Sequence, residues 1–135
     1  MAHELINPAL LGAPKGYSNG VLAEAGGRLL FIAGQVGWDE TQCIVSDELE
    51  AQFGRALENV VAVLTAAGGR PEHVVRLMIY VTDRDQYLKA LKSIGHAYRR
   101  VMGRHYPAMA LIEVKALLEP AAKVEIEGTA VVPAR

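Results

Sequence analysis

Two glutamates, Glu125 and Glu127, stand two residues apart in the closing segment VEIEGTAVV. In a strand that spacing sends both carboxyl groups from one face. A carboxyl group held there can hydrogen-bond a polarised nitrogen, or orient and deprotonate a water. Gly16-Tyr17-Ser18 brings a phenol to the mouth of the first strand, and Gly34-Gln35 interrupts an otherwise apolar strand. A glycine inside a strand marks a bulge or a ligand approaching the backbone. Trp38 follows that step closely enough to wall a pocket there. Each residue also has an ordinary role: a half-buried tyrosine, a glutamine bonded to its neighbour, a loop-anchoring tryptophan, a solvated glutamate face. Their combination is what points to a site.

Other chemistries lack their residues. His3, His73, His96 and His105 are scattered without metal-ligand spacing, and the one cysteine, Cys43, has no second thiol to join them. No metal or cofactor is therefore expected. The glycines form neither a Walker A loop nor a dinucleotide fingerprint, and no serine sits in a nucleophile elbow. Nothing near Cys43 in sequence would depress its pKa, so it reads as an ordinary thiol.

The elements that must hold the candidate residues are legible from periodicity. VLAEA, Gly26-Gly27 and RLLFIAGQV read as two strands about a glycine turn. Ser46 or Asp47 can cap a helix, with Glu50 completing a capping box after Asp47. Its apolar stripe is Leu49, Phe53, Leu57, Val60, Leu64 and Ala67, and Gly68-Gly69 ends it. VVRLMIYVT is a central strand. Asp85 can cap a second helix with the stripe Leu88, Leu91, Ile94, Tyr98, Val101 and Met102, stopped by Gly103. AMALIEV and VEIEGTAVV complete the order ββαβαββ. The predicted architecture is α+β, a single sheet with two helices on one face. Both alternating sets of the central strands are largely apolar, as in Leu29, Phe31 and Ala33 against Leu30, Ile32 and Val36. A sheet with one face in water alternates more cleanly, so a second copy of the chain is expected to cover the open face.

Composition sets the outer bounds. The 135 residues suit one domain over residues 1–135. A formal net charge of -1 gives no electrostatic pull toward nucleic acid or anionic membrane. No apolar run approaches the ~20 residues of a membrane span, and the start has no signal-peptide pattern. With a single cysteine, these features lead to a cytoplasmic expectation.

The segments GYSNGV, LLFIAGQ, LTAAGG, VVRLMIYVTD, YPAMALIEVKAL and VEIEGTAVV, in this order from about Tyr17 to Val132, resemble the YjgF/Rid proteins. The resemblance implies a chorismate-mutase-like α+β fold and a homotrimer with ligand clefts between subunits. Its RidA-like branch hydrolyses enamines and imines of 2-keto acids to the keto acid and ammonia. By that resemblance Tyr17 and Glu125 are the catalytic candidates. The same resemblance implies substrate contacts from backbone groups near Gly34 and Leu111 and puts Met109 at the clamp position, while Trp38 is a substrate-binding candidate from its place after Gly34-Gln35.

The family carries an arginine in the motif Pro-Ala-Arg-Ser, where its fork holds the substrate carboxylate. Here that position is Met109, and a hydroxyl residue common before the Gly-Gln step is Ala33. A charge-assisted hydrogen bond is worth roughly 1.5–3 kcal/mol, so its loss weakens carboxylate binding by roughly 10- to 150-fold, and the bidentate geometry goes with it. Lys115, Arg104 and Arg28 are the candidate replacement cations. The leading reading is an imine or enamine hydrolase of the deaminase type acting on a non-standard small molecule. The alternatives are a non-catalytic trimeric ligand-binding protein and, ranked last, an endoribonuclease.

Overall fold

The computed structural model describes residues 3–135. The chain runs through β1 (Glu4–Ile6), β2 (Gly20–Leu22), β3 (Arg28–Val36), α1 (Leu49–Ala66), β4 (Val74–Val81), α2 (Arg84–Lys89), α3 (Leu91–Met102), β5 (Ala108–Glu113) and β6 (Val124–Val132). Four strands form a mixed sheet in the order β3-β6-β4-β5, with β6 antiparallel to both neighbours and β4 parallel to β5. The α+β class holds.

One face of this sheet carries the core. Phe53, Leu57, Val60 and Leu64 of α1 and Ile94, Tyr98 and Met102 of α3 pack with Ile32, Leu77, Ile79, Val124 and Ile126 in one buried cluster. The stripe expected for α1 is the buried one from Leu49 to Leu64. Sequestering side chains of this kind contributes about 1.5–3 kcal/mol each.

Four local expectations fail. Gly20–Leu22 does not pair with β3 about the glycine turn; it pairs antiparallel with Glu4–Ile6 in a separate two-stranded sheet. The predicted single sheet is therefore two, because that short partner strand carries too little alternation to read from sequence. Neither Ser46 nor Asp47 caps α1. The cap position is Glu48, and the Ser46 hydroxyl instead accepts from the Glu48 N–H at 3.0 Å. The second helix is two, α2 and α3, meeting at Ala90. Asp83, not Asp85, caps α2 by accepting from the Gln86 N–H at 3.0 Å. An Asx side chain reaches the N–H two or three residues on, and both aspartates stand close enough to the start for the sequence to allow either.

The opposite face of the sheet is open in the single chain. Leu29 and Phe31 on it are 65% and 74% exposed.

Candidate functional site

Glu125 lies where β6 meets an irregularity in β3. The β3–β6 register slips between Ile32 and Gln35, so Ala33-Gly34 forms the bulge that an in-strand glycine implies. A β-carbon at Gly34 would fall 2.7 Å from the carboxyl carbon of Glu125, closer than any side chain allows. The glycine lets the carboxyl group lie against the backbone of β3. Gln52, fully buried in the apolar stripe of α1, fixes the approach to β6: its amide donates to Ala121 O at 3.1 Å, and its Oε1 accepts from Lys123 N at 2.8 Å. Asn59 donates to the carbonyls of Val36 and Trp38, both at 3.0 Å, and so holds the loop carrying the tryptophan. Glu125, Gly34, Trp38, Glu119 and the 99% exposed Leu118 line a recess of about 360 Å³.

Glu127 shares the strand face but not this environment. Its Oε1 accepts the Tyr80 hydroxyl at 2.5 Å. That bond, followed by burial and the nearby carboxylates, raises the Tyr80 phenol above its ordinary value.

Tyr17 is placed by its neighbours. Gly16 takes a φ of 75°, a left-handed conformation that turns the chain. Ser18 then pins the turn to the entry of β5, its N–H donating to Pro107 O at 3.0 Å and its hydroxyl to Tyr106 O at 2.6 Å. Tyr17 thereby comes beside Met109, Ala110 and Leu111 on a mostly apolar recess of about 380 Å³.

The two groups of candidates do not meet within one chain. Register pairs Glu125 with Tyr80 and Tyr80 with Ile112, which puts these three on the open face. Met109 and Leu111 pair with Leu77 and Ile79 and pack against the core on the helix side. The chain thus carries two separated half-sites, Glu125 with Gly34 and Trp38, and Tyr17 with Met109 and Leu111. Within one chain the cations around Met109 are also other than the three candidates named from sequence. Lys15, Arg84 and Arg99 line its surroundings. Arg28 donates to Pro133 O, Lys115 faces a surface recess beside Thr82, and Arg104 is exposed in the turn after α3. Gln52 and Asn59 are site supports not among the residues expected from sequence, although a polar amide within or beside an apolar helical stripe needs a partner.

Among the described residues no group of three or more His, Cys, Asp or Glu side chains is arranged to hold a metal ion. No helix there is long and apolar enough to cross a membrane.

The model of the family described as Endoribonuclease L-PSP matches residues 9–132. Protein DfrA of Myxococcus xanthus is 37% identical over 123 residues, which cover 88% of this chain and 89% of the relative. The 2-iminobutanoate/2-iminopropanoate deaminase of Salmonella typhimurium is 30% identical over 108 residues, 78% of this chain and 80% of the relative. Among solved structures, YyfB of Yersinia pestis, from the conserved Rid protein family, superposes with a TM-score of 0.86 at 35% identity, over 98% of this chain and 100% of that one.

Proposed function

Because the chain belongs to the endoribonuclease L-PSP family, the YjgF/Rid family, we propose that it is a hydrolase of small imines or enamines working as a homotrimer. The observation that carries the reading is Glu125: a carboxyl group set against the Gly34 bulge, beside Trp38, with no hydrogen-bond partner among the described residues. The deaminase activity printed for the Salmonella relative supports the same reaction class.

The reaction needs little apparatus. Water adds to the C=N carbon, forming a C–O bond while the C=N π electrons move to nitrogen. Glu125 takes the water proton and returns it to the nitrogen. Glu125 then carries the hydroxyl proton of the resulting carbinolamine to its amine nitrogen, the C–N bond breaks to release ammonia, and the oxygen's electrons form C=O. Tyr17 closes the ligand from the side, and the backbone at Gly34 and Leu111 orients it. A second copy is needed to unite the half-sites, and the exposed Leu29 and Phe31 suit a covered face. Met109 offers no partner to a carboxylate, so the substrate depends less on a free carboxylate than 2-iminopropanoate does. The formal net charge of -1 gives an RNA substrate no counterion-release gain.

The test compares wild type with Met109→Arg on 2-iminopropanoate and on imines without a free carboxylate. Wild type should accelerate the second class and act weakly on the first, and the variant should gain on the first. Full wild-type activity on 2-iminopropanoate would show that another cation serves. No acceleration of any imine would leave a ligand-binding protein.

A further inference from the structure

Met109 stands where the Tyr17 recess continues into a deeper one of about 280 Å³ between α3 and the sheet. Lys15, Ile79, Tyr87 and Leu91 line both, and the inner end is closed by Phe53, Tyr98 and Tyr106. The Tyr98 and Tyr106 rings stack with centroids 5.0 Å apart. The Tyr98 hydroxyl already donates to His105 O at 2.6 Å, so an incoming group meets mainly the aromatic body. Burial raises the phenols of Tyr87 and Tyr98, consistent with a dry interior.

Gly95 is the informative residue. It lines the deeper recess from the interior of α3, where glycine is a poorer helix former than alanine. Gly54 on α1 faces α3 across a helix contact, where a β-carbon would lie 3.6 Å from Ala97 Cβ and 2.8 Å from the movable end of Arg100. Gly95 has no such helix neighbour, since its β-carbon would meet only Arg99 Nη1, at an ordinary 3.5 Å. Nor is its φ in the left-handed region. What the missing side chain does is leave the recess open. At the other end, Leu88 and Leu91 are about half exposed beside the opening. The exposed Lys15 and Arg99 there have no carboxylate partner among the described residues.

We infer that this recess, kept open by Gly95 and walled by Met109, takes a bulky apolar side chain of the substrate, an aromatic or branched aliphatic group. The substrate class is then an imine or enamine with a large apolar substituent. Methionine suits the wall because its unbranched thioether adapts to such groups and makes favourable contacts with aromatic rings. The substrate class rests on the hydrolase reading; the recess and its preference do not.

The experiment uses the full chain as wild type, Gly95→Ala, Gly95→Leu and Leu91→Trp. Binding of 3-phenylpropanoate and propanoate is measured by calorimetry, the shared carboxylate leaving the ring as the difference. Hydrolysis of the carboxylate-free imines of 2-phenylethylamine and ethylamine, formed in place by an amine oxidase, is measured alongside. Wild type and Gly95→Ala should favour the phenyl ligand by at least about 10-fold. Gly95→Leu should lose the preference while melting no lower than wild type, and Leu91→Trp, filling the recess from its exposed side, should lose it too. Equal binding of the two ligands by wild type, or a preference untouched in both filled variants, overturns the recess. If neither imine is hydrolysed yet the ring preference disappears on filling, the hydrolase reading fails and the recess stands. If both imines are hydrolysed equally well and filling changes neither, the recess fails and the hydrolase reading stands.

Discussion

Tyr80 donates its phenolic hydrogen to Glu127 Oε1 over 2.5 Å, so two glutamates on one face of β6 differ in their bonding partners. Glu127 is engaged by a side chain of β4. Glu125, two residues earlier, has no hydrogen-bond partner among the described residues and rests against the bulge in β3. In the proposed reaction this unpartnered carboxyl group is the one that moves the proton.

Glu125→Gln keeps the size and most of the hydrogen-bonding capacity but cannot accept a proton. Turnover of an imine substrate should fall by about 10²–10⁴-fold, with the circular dichroism spectrum unchanged. Glu127→Gln should have little effect on turnover. It should bring the Tyr80 phenol back down toward its ordinary value, since the Glu127 bond is the largest cause of the rise. Ultraviolet titration of tyrosine reads that shift. Equal small losses of turnover in both variants would return Glu125 to a solvated strand residue.

Gly34→Ala places a methyl group where the Glu125 carboxyl group lies. The carboxyl end must swing aside, and a displacement of about 1 Å at a reacting group lowers turnover by about 10²-fold. Thermal melting should change little, because a partly exposed side chain can move without disturbing the core. Unchanged kinetics would show that the position of Glu125 does not matter to the reaction.

Light scattering at micromolar concentration should return a trimer. Phe31→Asp or Leu29→Asp, on the open face of the sheet, should dissociate it by leaving a charge in an apolar contact. Lys92→Glu, exposed on α3, should leave it intact. A stable wild-type monomer would remove both the covered face and the joined half-sites.

His73 sets a pH dependence of stability. It is 1% exposed, its Nδ1 accepts from Arg70 N at 2.9 Å, and its Nε2 has no partner among the described residues. Burial lowers its pKa below 6.5, helped by Arg70 and His3 and opposed by Glu72. The folded state therefore prefers the neutral ring. Its contribution is fully present above about pH 6.5 and is lost as pH falls through the lower folded value. The melting temperature should drop between about pH 7.5 and about pH 5, and His73→Gln should flatten that slope. An identical slope in the variant would assign the effect to other groups.

The order of the long elements was legible because their signals are local. The α1 stripe from Leu49 to Leu64 repeats at the helical period, the strands holding Phe31 and Ile79 are apolar runs bounded by turns, and the strand holding Ile126 alternates apolar and polar residues at its start. The bulge at Gly34 was legible for the same reason, since a glycine in an apolar strand is a local anomaly. Helix starts were less so, because Ser46, Asp47, Asp83 and Asp85 all qualify chemically and the cap depends on where the backbone turns. Sequence alone determined that Glu125 and Glu127 share a face, a consequence of the two-residue period. Only tertiary structure decided that Met109 and Glu125 lie on opposite faces of the sheet. Alternation orders side chains within a strand, whereas relating one strand to another requires the register of β5 on β4 and β4 on β6.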